Sequence, residues 1–331
     1  MKKSIKTFSL IASAALLTIT SLSAVSTDPV GYVTTTIPAN SDGLLSTALH
    51  RPAIFSGSVA SIPDSDTIEV SNSPEFLADE YAGGGNFILF TSGDREGLWA
   101  VIDSNDADSI DLTFVIQDLG EDVEDRVEIG DTFSIIPFWT PATLLPEGET
   151  AAGTQLLMFS RSQPGINISA AFIYTLYDTY GWYAGPTDVN NEPIYPDESL
   201  IVRNVSDEPL KLVQAGNVPM SAYRTVLSSL AEGVEQDIRL TSGLPSEVAI
   251  RDLLDPGTAG AGDQILIFDQ DQVGQNKSAA IIATYYETYG WYSGPTERNN
   301  YLLQPGQGFV YRKAAANNLD IVVTHSPSYQ Q

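Results

Sequence analysis

The sequence predicts an all-β protein: a small β-barrel-like domain joined to two tandem homologous units of β-sandwich or barrel-like form. Two observations carry this. Setting position n against n + 109 aligns the second half of the chain with itself, with 24 identities in the 50 positions from 154 to 203 and no insertion. An ungapped match of that length means a duplicated unit of roughly 75 residues. Within each copy and ahead of the first, short runs rich in β-branched and aromatic residues alternate with Gly, Pro, Asn and Asp, the punctuation of strands and turns.

Taken in order, residues 1–26 read as a signal peptide rather than fold. Lys2, Lys3 and Lys6 form a positive start, FSLIASAALLTI is a short apolar run, and Ala24-Val25-Ser26 supplies small residues for cleavage. The run is too short for a membrane span of roughly 20 residues, and nothing later is long enough. The expectation is Sec export from a bacterial cell to the periplasm, the cell surface or the medium, without a lipid anchor because no Cys exists. Residues 27–51 (DPVGYVTTTIPANSDGLLS and its flank) form a leading strand segment.

Residues 52–140 read as the barrel. GSVASI and DTIEVS flank PDSD, a hairpin signal, and NFILFTS, LWAVIDS, SIDLTFV and DTFSIIPFW follow at even spacing, parted by Gly, Asp, Asn and Ser. Six short strands so spaced suit a small closed barrel. Residues 141–217 are the first copy, and 218–331 hold a second leading segment and the second copy. The leading segments share a Pro, then Tyr, then β-branched order, in DPVGYVTTT and VPMSAYRTV, so the barrel is expected as an insertion within the first copy. In each copy QLLMF or QILIF, SAAFIYTLY or SAAIIATYY, Gly-Trp-Tyr, and SLIVR or GFVYR read as strands.

DPVGYV, FILFTSGDREGLW, IIPFWTPATLLP, VPMSAYRTVLSSL and PGQGFVYRKAA together resemble an exported paralogous family of Verrucomicrobia-type bacteria. The resemblance spans nearly the whole chain after the signal segment and implies export and this architecture. That family is of unknown function, so no catalytic residue is carried over.

Composition narrows the function classes. Removal of the signal segment takes three Lys and no acid, so 16 basic residues become 13 against 42 acidic ones, and the net charge of −26 becomes −29. Such a surface repels nucleic acid and anionic membrane, and neither is expected as a partner. With no Cys there is no disulfide framework. Only His50 and His325 are present, with no G-x-S-x-G elbow and no H-E-x-x-H, which removes the Ser-His-Asp and zinc chemistries. His325 lies near the end of the chain, where fraying is expected. Gly83-Gly84-Gly85 lacks the Lys-Ser/Thr of a phosphate loop and reads as a turn.

Two ligand chemistries remain open. Calcium could be held by Asp103, Asp106 and Asp108 in DSNDADSID and by Asp118, Asp122 and Asp125 in DLGEDVEDRVEIGD, although neither stretch has the EF-hand spacing. Solvation of an acidic surface is the simpler account of these turns, and no other cofactor is expected. An extracellular glycan or cell-envelope component could meet Trp182, Tyr183, Asn190 and Asn191 in one copy and Trp291, Tyr292, Asn299 and Asn300 in the other. The competing account is that Trp and Tyr alternate across a strand, so that one ring of each pair closes a core. Asp178 faces Glu287 and Asp188 faces Glu297 across the alignment. A general acid or nucleophile rarely tolerates that change of length. The sequence therefore favours a non-enzymatic structural or interaction protein, then a carbohydrate-binding module, then a carboxylate-dependent glycoside hydrolase.

Overall fold

A computed structural model describes residues 29–114, 126–254, 257–318, 320–327 and 329, so the segment read as an export signal lies outside the described residues. The chain is nearly all β, as predicted. It begins with β1 (Val30–Ile37) and β2 (Ser41–Ser46). Six strands follow: β3 (Phe55–Ser61), β4 (Thr67–Val70), β5 (Asn86–Phe90), β6 (Trp99–Asn105), β7 (Ser109–Thr113) and β8 (Thr132–Pro137). They close into an antiparallel barrel of order β3-β4-β7-β6-β5-β8, because β8 pairs back onto β3 from Phe55 opposite Ile135 to Ser58 opposite Thr132. Val59, Ile88, Phe90, Ile102, Ile110 and Phe133 fill its interior.

NFILF and WAVI are continuous apolar runs rather than alternating ones, and the packing gives the reason. Ile88, Phe90, Ala100 and Ile102 face the barrel core. Phe87, Leu89, Trp99 and Val101 face outward, and are buried against Tyr223, Val226 and Tyr195 of the two repeat units. A strand covered on both faces has no polar side to show. The barrel is thus docked, not hung on a linker.

The first unit resumes with α1 (Pro141–Leu144), β9 (Gln155–Met158), β10 (Phe172–Tyr177), β11 (Gly181–Ala184), β12 (Thr187–Asp188), β13 (Ser199–Asn204) and β14 (Leu210–Asn217). Its sheet runs β12-β11-β10-β9-β13-β2, and β1 pairs with β14 in a separate ribbon. Strands from before the barrel therefore pair with strands from after it. Ile37, Leu210 and Leu212 of the ribbon pack with Leu156, Leu176, Trp182 and Val202 of the sheet in one core.

The second unit repeats this plan: β15 (Tyr223–Leu227), β16 (Gln236–Leu240), β17 (Val248–Ala249), α2 (Ile250–Leu253), β18 (Gln264–Ile267), β19 (Ile281–Tyr286), β20 (Gly290–Ser293), β21 (Thr296–Glu297), β22 (Leu302–Leu303), β23 (Phe309–Lys313) and β24 (Ile321–His325). Its sheet is β16-β23-β18-β19-β20-β21, and β15 pairs with β24. His325 does not fray. It sits in β24 opposite Tyr223 and is only 5% exposed.

The units meet across an approximate two-fold relation. Arg203 of the first unit binds Asp42 through Nε and Nη2 (2.8 and 3.0 Å), and Asp42 accepts from the backbone N–H of Asn276 in the second (2.7 Å). Arg312 binds Asp237 in the same way (2.7 and 3.0 Å), and Asp237 accepts from the N–H of Asn167 (2.7 Å). Each Arg also donates to the Asn side chain of the other unit at 3.1 Å. The backbone N–H groups of Asp42 and Asp237 donate to Gly274 and Gly165, both at 3.0 Å. Asn167 and Asn276 adopt φ of 52° and 51°, as suits a turn-forming Asn.

At the centre of this relation Ser199 faces its own counterpart, Gly308. A Cβ on Gly308 would stand 2.5 Å from the Ser199 Cβ and 2.9 Å from Leu44, closer than carbon atoms approach. Two side chains cannot occupy that spot, and one copy carries Gly there. Gly308→Ser is expected to destabilise the fold by about 1–3 kcal/mol, the usual cost of overpacking. Adding Ser199→Gly should recover more than half of it. Urea unfolding of the single and double variants checks this; a Gly308→Ser protein as stable as the parent would contradict the packing account.

Candidate functional site

The twin hairpins of β10–β11 and β19–β20 hold the residues that the sequence singled out. Trp182 and Trp291 point inward, at 0% and 1% exposure, and their indole N–H groups donate to the carbonyls of Leu145 and Leu254 (3.0 and 3.2 Å). Their reading as ligand contacts is corrected on this point: neither ring offers a face to a sugar. Asn190 and Asn299 are likewise spent within the fold. Each accepts from the Trp backbone N–H (2.8 and 2.7 Å) and donates to Asp188 or Glu297 (2.8 and 2.9 Å). This explains how Asp and Glu exchange there, since either length reaches the amide. It also explains the Gly before each Trp, where a Cβ would lie 2.3 Å from the Asn side-chain oxygen. Asn191 and Asn300 are exposed, and Tyr183 and Tyr292 are half-buried.

The outer face of each hairpin is different in kind. Pairing of Leu176 with Trp182 and of Tyr285 with Trp291 puts these residues on the inner face, so Ile173, Thr175, Tyr177 and Tyr183 lie outward, as do Ile282, Thr284, Tyr286 and Tyr292. Tyr180 and Tyr289 project from the turns, 71% and 68% exposed. These five positions are identical between the copies, whereas Asp188, paired with Tyr183 on the same face, is Glu297 in the second. On the inner face Tyr174 and Leu176 have become Ala283 and Tyr285, a transfer of bulk from one position to its neighbour. Tyr177 meets Tyr183 edge to face at 6.2 Å, and Tyr286 meets Tyr292 at 6.4 Å.

The proposed calcium ligands divide. Asp118, Asp122 and Asp125 lie outside the described residues. Asp103, Asp106 and Asp108 are exposed on the β6–β7 hairpin, where the Asp103 carboxylate accepts from the Thr113 hydroxyl. Among the described residues no three His, Asp or Glu side chains converge as a metal-binding group.

Sequence reasoning missed a second locus, a cavity of about 190 Å³ at the seam of the two units. Arg161 and Asp197 enter it as a bidentate pair (2.6 and 2.7 Å). Glu198 is 6% exposed, and burial pushes its carboxyl up to about 7 even though Arg161 opposes the shift. Arg239 comes from the other unit and lies 3.3 Å from the centroid of the Phe159 ring; burial lowers its guanidinium to about 10. A signal was present in the alignment. These four residues face Gln270, Gly306, Gln307 and, across the leading segments, Leu44. These four charges have no counterpart on the other side of the two-fold, where Asp269 and Asp271 instead replace Ser160 and Ser162.

Compared with protein-family models, curated proteins and solved structures, the chain has no significant match in any of the three.

Proposed function

We propose that this is an exported, non-enzymatic binding protein of the cell surface or secreted matrix, whose two hairpin faces hold an extracellular glycan. The observation that carries the reading is the match of the apolar and aromatic positions on the two outer faces, with Ile173, Thr175, Tyr177, Tyr180 and Tyr183 identical one for one while the core beneath them differs. Packing alone predicts the reverse, because exposed positions tolerate substitution and cores do not. A common ligand accounts for it. Flat sheets bearing tyrosines offer an apolar ring for a sugar face and a hydroxyl for its edge. The strongly negative net charge, −26 for the whole sequence and −29 without the signal segment, favours a neutral polymer over an acidic one.

Hydrolysis is less well supported. Both oxygens of Asp197 are engaged by Arg161, so the carboxylate beside Glu198 is not free to act as nucleophile or base.

Binding to insoluble neutral polysaccharides tests the proposal. Tyr180→Ala or Tyr289→Ala should weaken retention by about three- to tenfold, equivalent to the loss of one aromatic contact. The double variant should lose more than either single one, because two faces on one chain act together. A parent protein that retains no glycan, or a double variant retained like the parent, would refute it.

A further inference from the structure

The seam cavity is a second site, separate from the hairpin faces. A buried polar group without hydrogen-bond partners is disfavoured, and Glu198 is 6% exposed. Arg161 and Asp197 satisfy each other. Glu198 and Arg239 do not, since among the described residues no hydrogen bond reaches the Glu198 carboxyl and Arg239 is held by the ring of Phe159. A guanidinium stacked on a ring keeps its N–H donors at the edge, free for a planar acceptor. Ser160, Ser162 and Gln163 add hydroxyl and amide groups to the same wall.

The other half of the two-fold shows what this surface looks like without the task. There Leu44 packs with Leu266 and Phe268, and Gln270 and Gln307 replace the charged residues. Asp269 and Asp271 stand there in place of Ser160 and Ser162, and the units join without counterparts of Glu198 or Arg239, so the seam itself does not require either.

We infer that the cavity binds a small hydroxylated monocarboxylate of sugar-acid size, its carboxylate received by Arg239 and the Glu198 carboxyl and its hydroxyls by Ser160, Ser162 and Gln163. The charges support a monoanion at pH 6, because the Arg161–Asp197 and Arg312–Asp237 pairs are each neutral and Arg239 leaves one positive charge, with burial favouring the protonated form of Glu198. The volume is that of about six waters, the bulk of one sugar ring. Ionisation of Glu198 would both repel the ligand and compete for Arg239. Its titration is set by the groups around it, namely Arg161, Asp197 and Arg239, with the rings of Tyr174 and Tyr195 nearby.

Calorimetric titration of the full chain with D-glucuronate, D-galacturonate and D-gluconate, and with D-glucose as the uncharged control, tests this. At pH 6 at least one acid should bind, and at least tenfold more tightly than glucose. Affinity should fall as pH rises from 6 to 8. Two variants take the residue of the opposite half, which keeps the fold within reach of both. Arg239→Leu should weaken the acid at least tenfold with the melting curve retained. Glu198→Gln should bind at pH 6 and lose the decline toward pH 8. If no acid binds more tightly than glucose, or if folded Arg239→Leu binds like the parent, the proposal fails. It fails equally if Glu198→Gln keeps the parent's pH profile.

Discussion

Asp237→Ala is expected to cost about 3–5 kcal/mol, the penalty for removing one member of a buried ion pair. Asp237 is 8% exposed and takes three bonds, two from Arg312 on the neighbouring strand and one from across the seam, the Asn167 backbone N–H. Its loss strands a guanidinium and a backbone N–H together, and neither is replaced by water without opening the seam. Melting temperature should fall by roughly 10 °C in a chain of this size. Because the clamp is written twice, Asp42→Ala should behave alike, with Arg203 and the Asn276 N–H as the stranded groups. Arg312→Met added to Asp237→Ala should recover part of the loss, since the uncompensated charge disappears. Chemical unfolding of the four proteins measures this. A loss below about 1 kcal/mol for both Asp variants would mean that these carboxylates add little to a seam held by backbone hydrogen bonds and apolar contact.

The second large effect is on acid stability. Burial lowers His50 and His325 to about 4, and raises Glu198 to about 7. The two kinds of group act in opposite senses. Each His binds its proton more readily in the unfolded chain, so its contribution is complete above about 6.5 and is lost as pH falls toward 4. Glu198 holds its proton more readily in the folded chain, so its contribution is complete below about 4.5 and is lost as pH rises toward 7. Between pH 4.5 and 6.5 the three groups together leave a slope of about 1.4 kcal/mol per pH unit, with stability rising with pH.

Variants separate the terms. Glu198→Gln should roughly double that slope, gaining about 3 kcal/mol on the parent between pH 4.5 and 7. His325→Phe keeps a ring over Tyr223, where the imidazole now stacks at 6.4 Å, and should bring the slope near zero. Differences between variants cancel the many surface carboxylates common to all. Identical slopes in all three proteins would show that these groups do not change protonation on unfolding.

Much of this architecture is legible from residue order alone. An ungapped internal match requires two copies of one fold, and six evenly spaced strands between Gly- and Asp-rich turns close a barrel because no edge is then left unpaired. The alternation of Trp and Tyr after Gly181 and Gly290 already implies one inward and one outward ring, since successive side chains on a strand point to opposite faces. What alternation does not say is which ring is which. That depended on Leu145 and Leu254 carbonyls lying under the indoles, and on Asn190 and Asn299 closing over the turns.

The seam was beyond the sequence for a different reason. Asp42 and Asn276 are 234 positions apart, and Arg161 and Arg239 reach one cavity from different units. No local period or spacing encodes such a meeting, because it follows from how two finished units dock. By itself the sequence determined that there are two homologous β-units and a barrel, and which positions alternate along each strand, because these follow from local backbone geometry. Only the tertiary structure decided that Ser199 meets Gly308, that the barrel is buried against Tyr223, and that five charged side chains share one cavity, because side chains distant in the chain acquire a common environment only when the units pack.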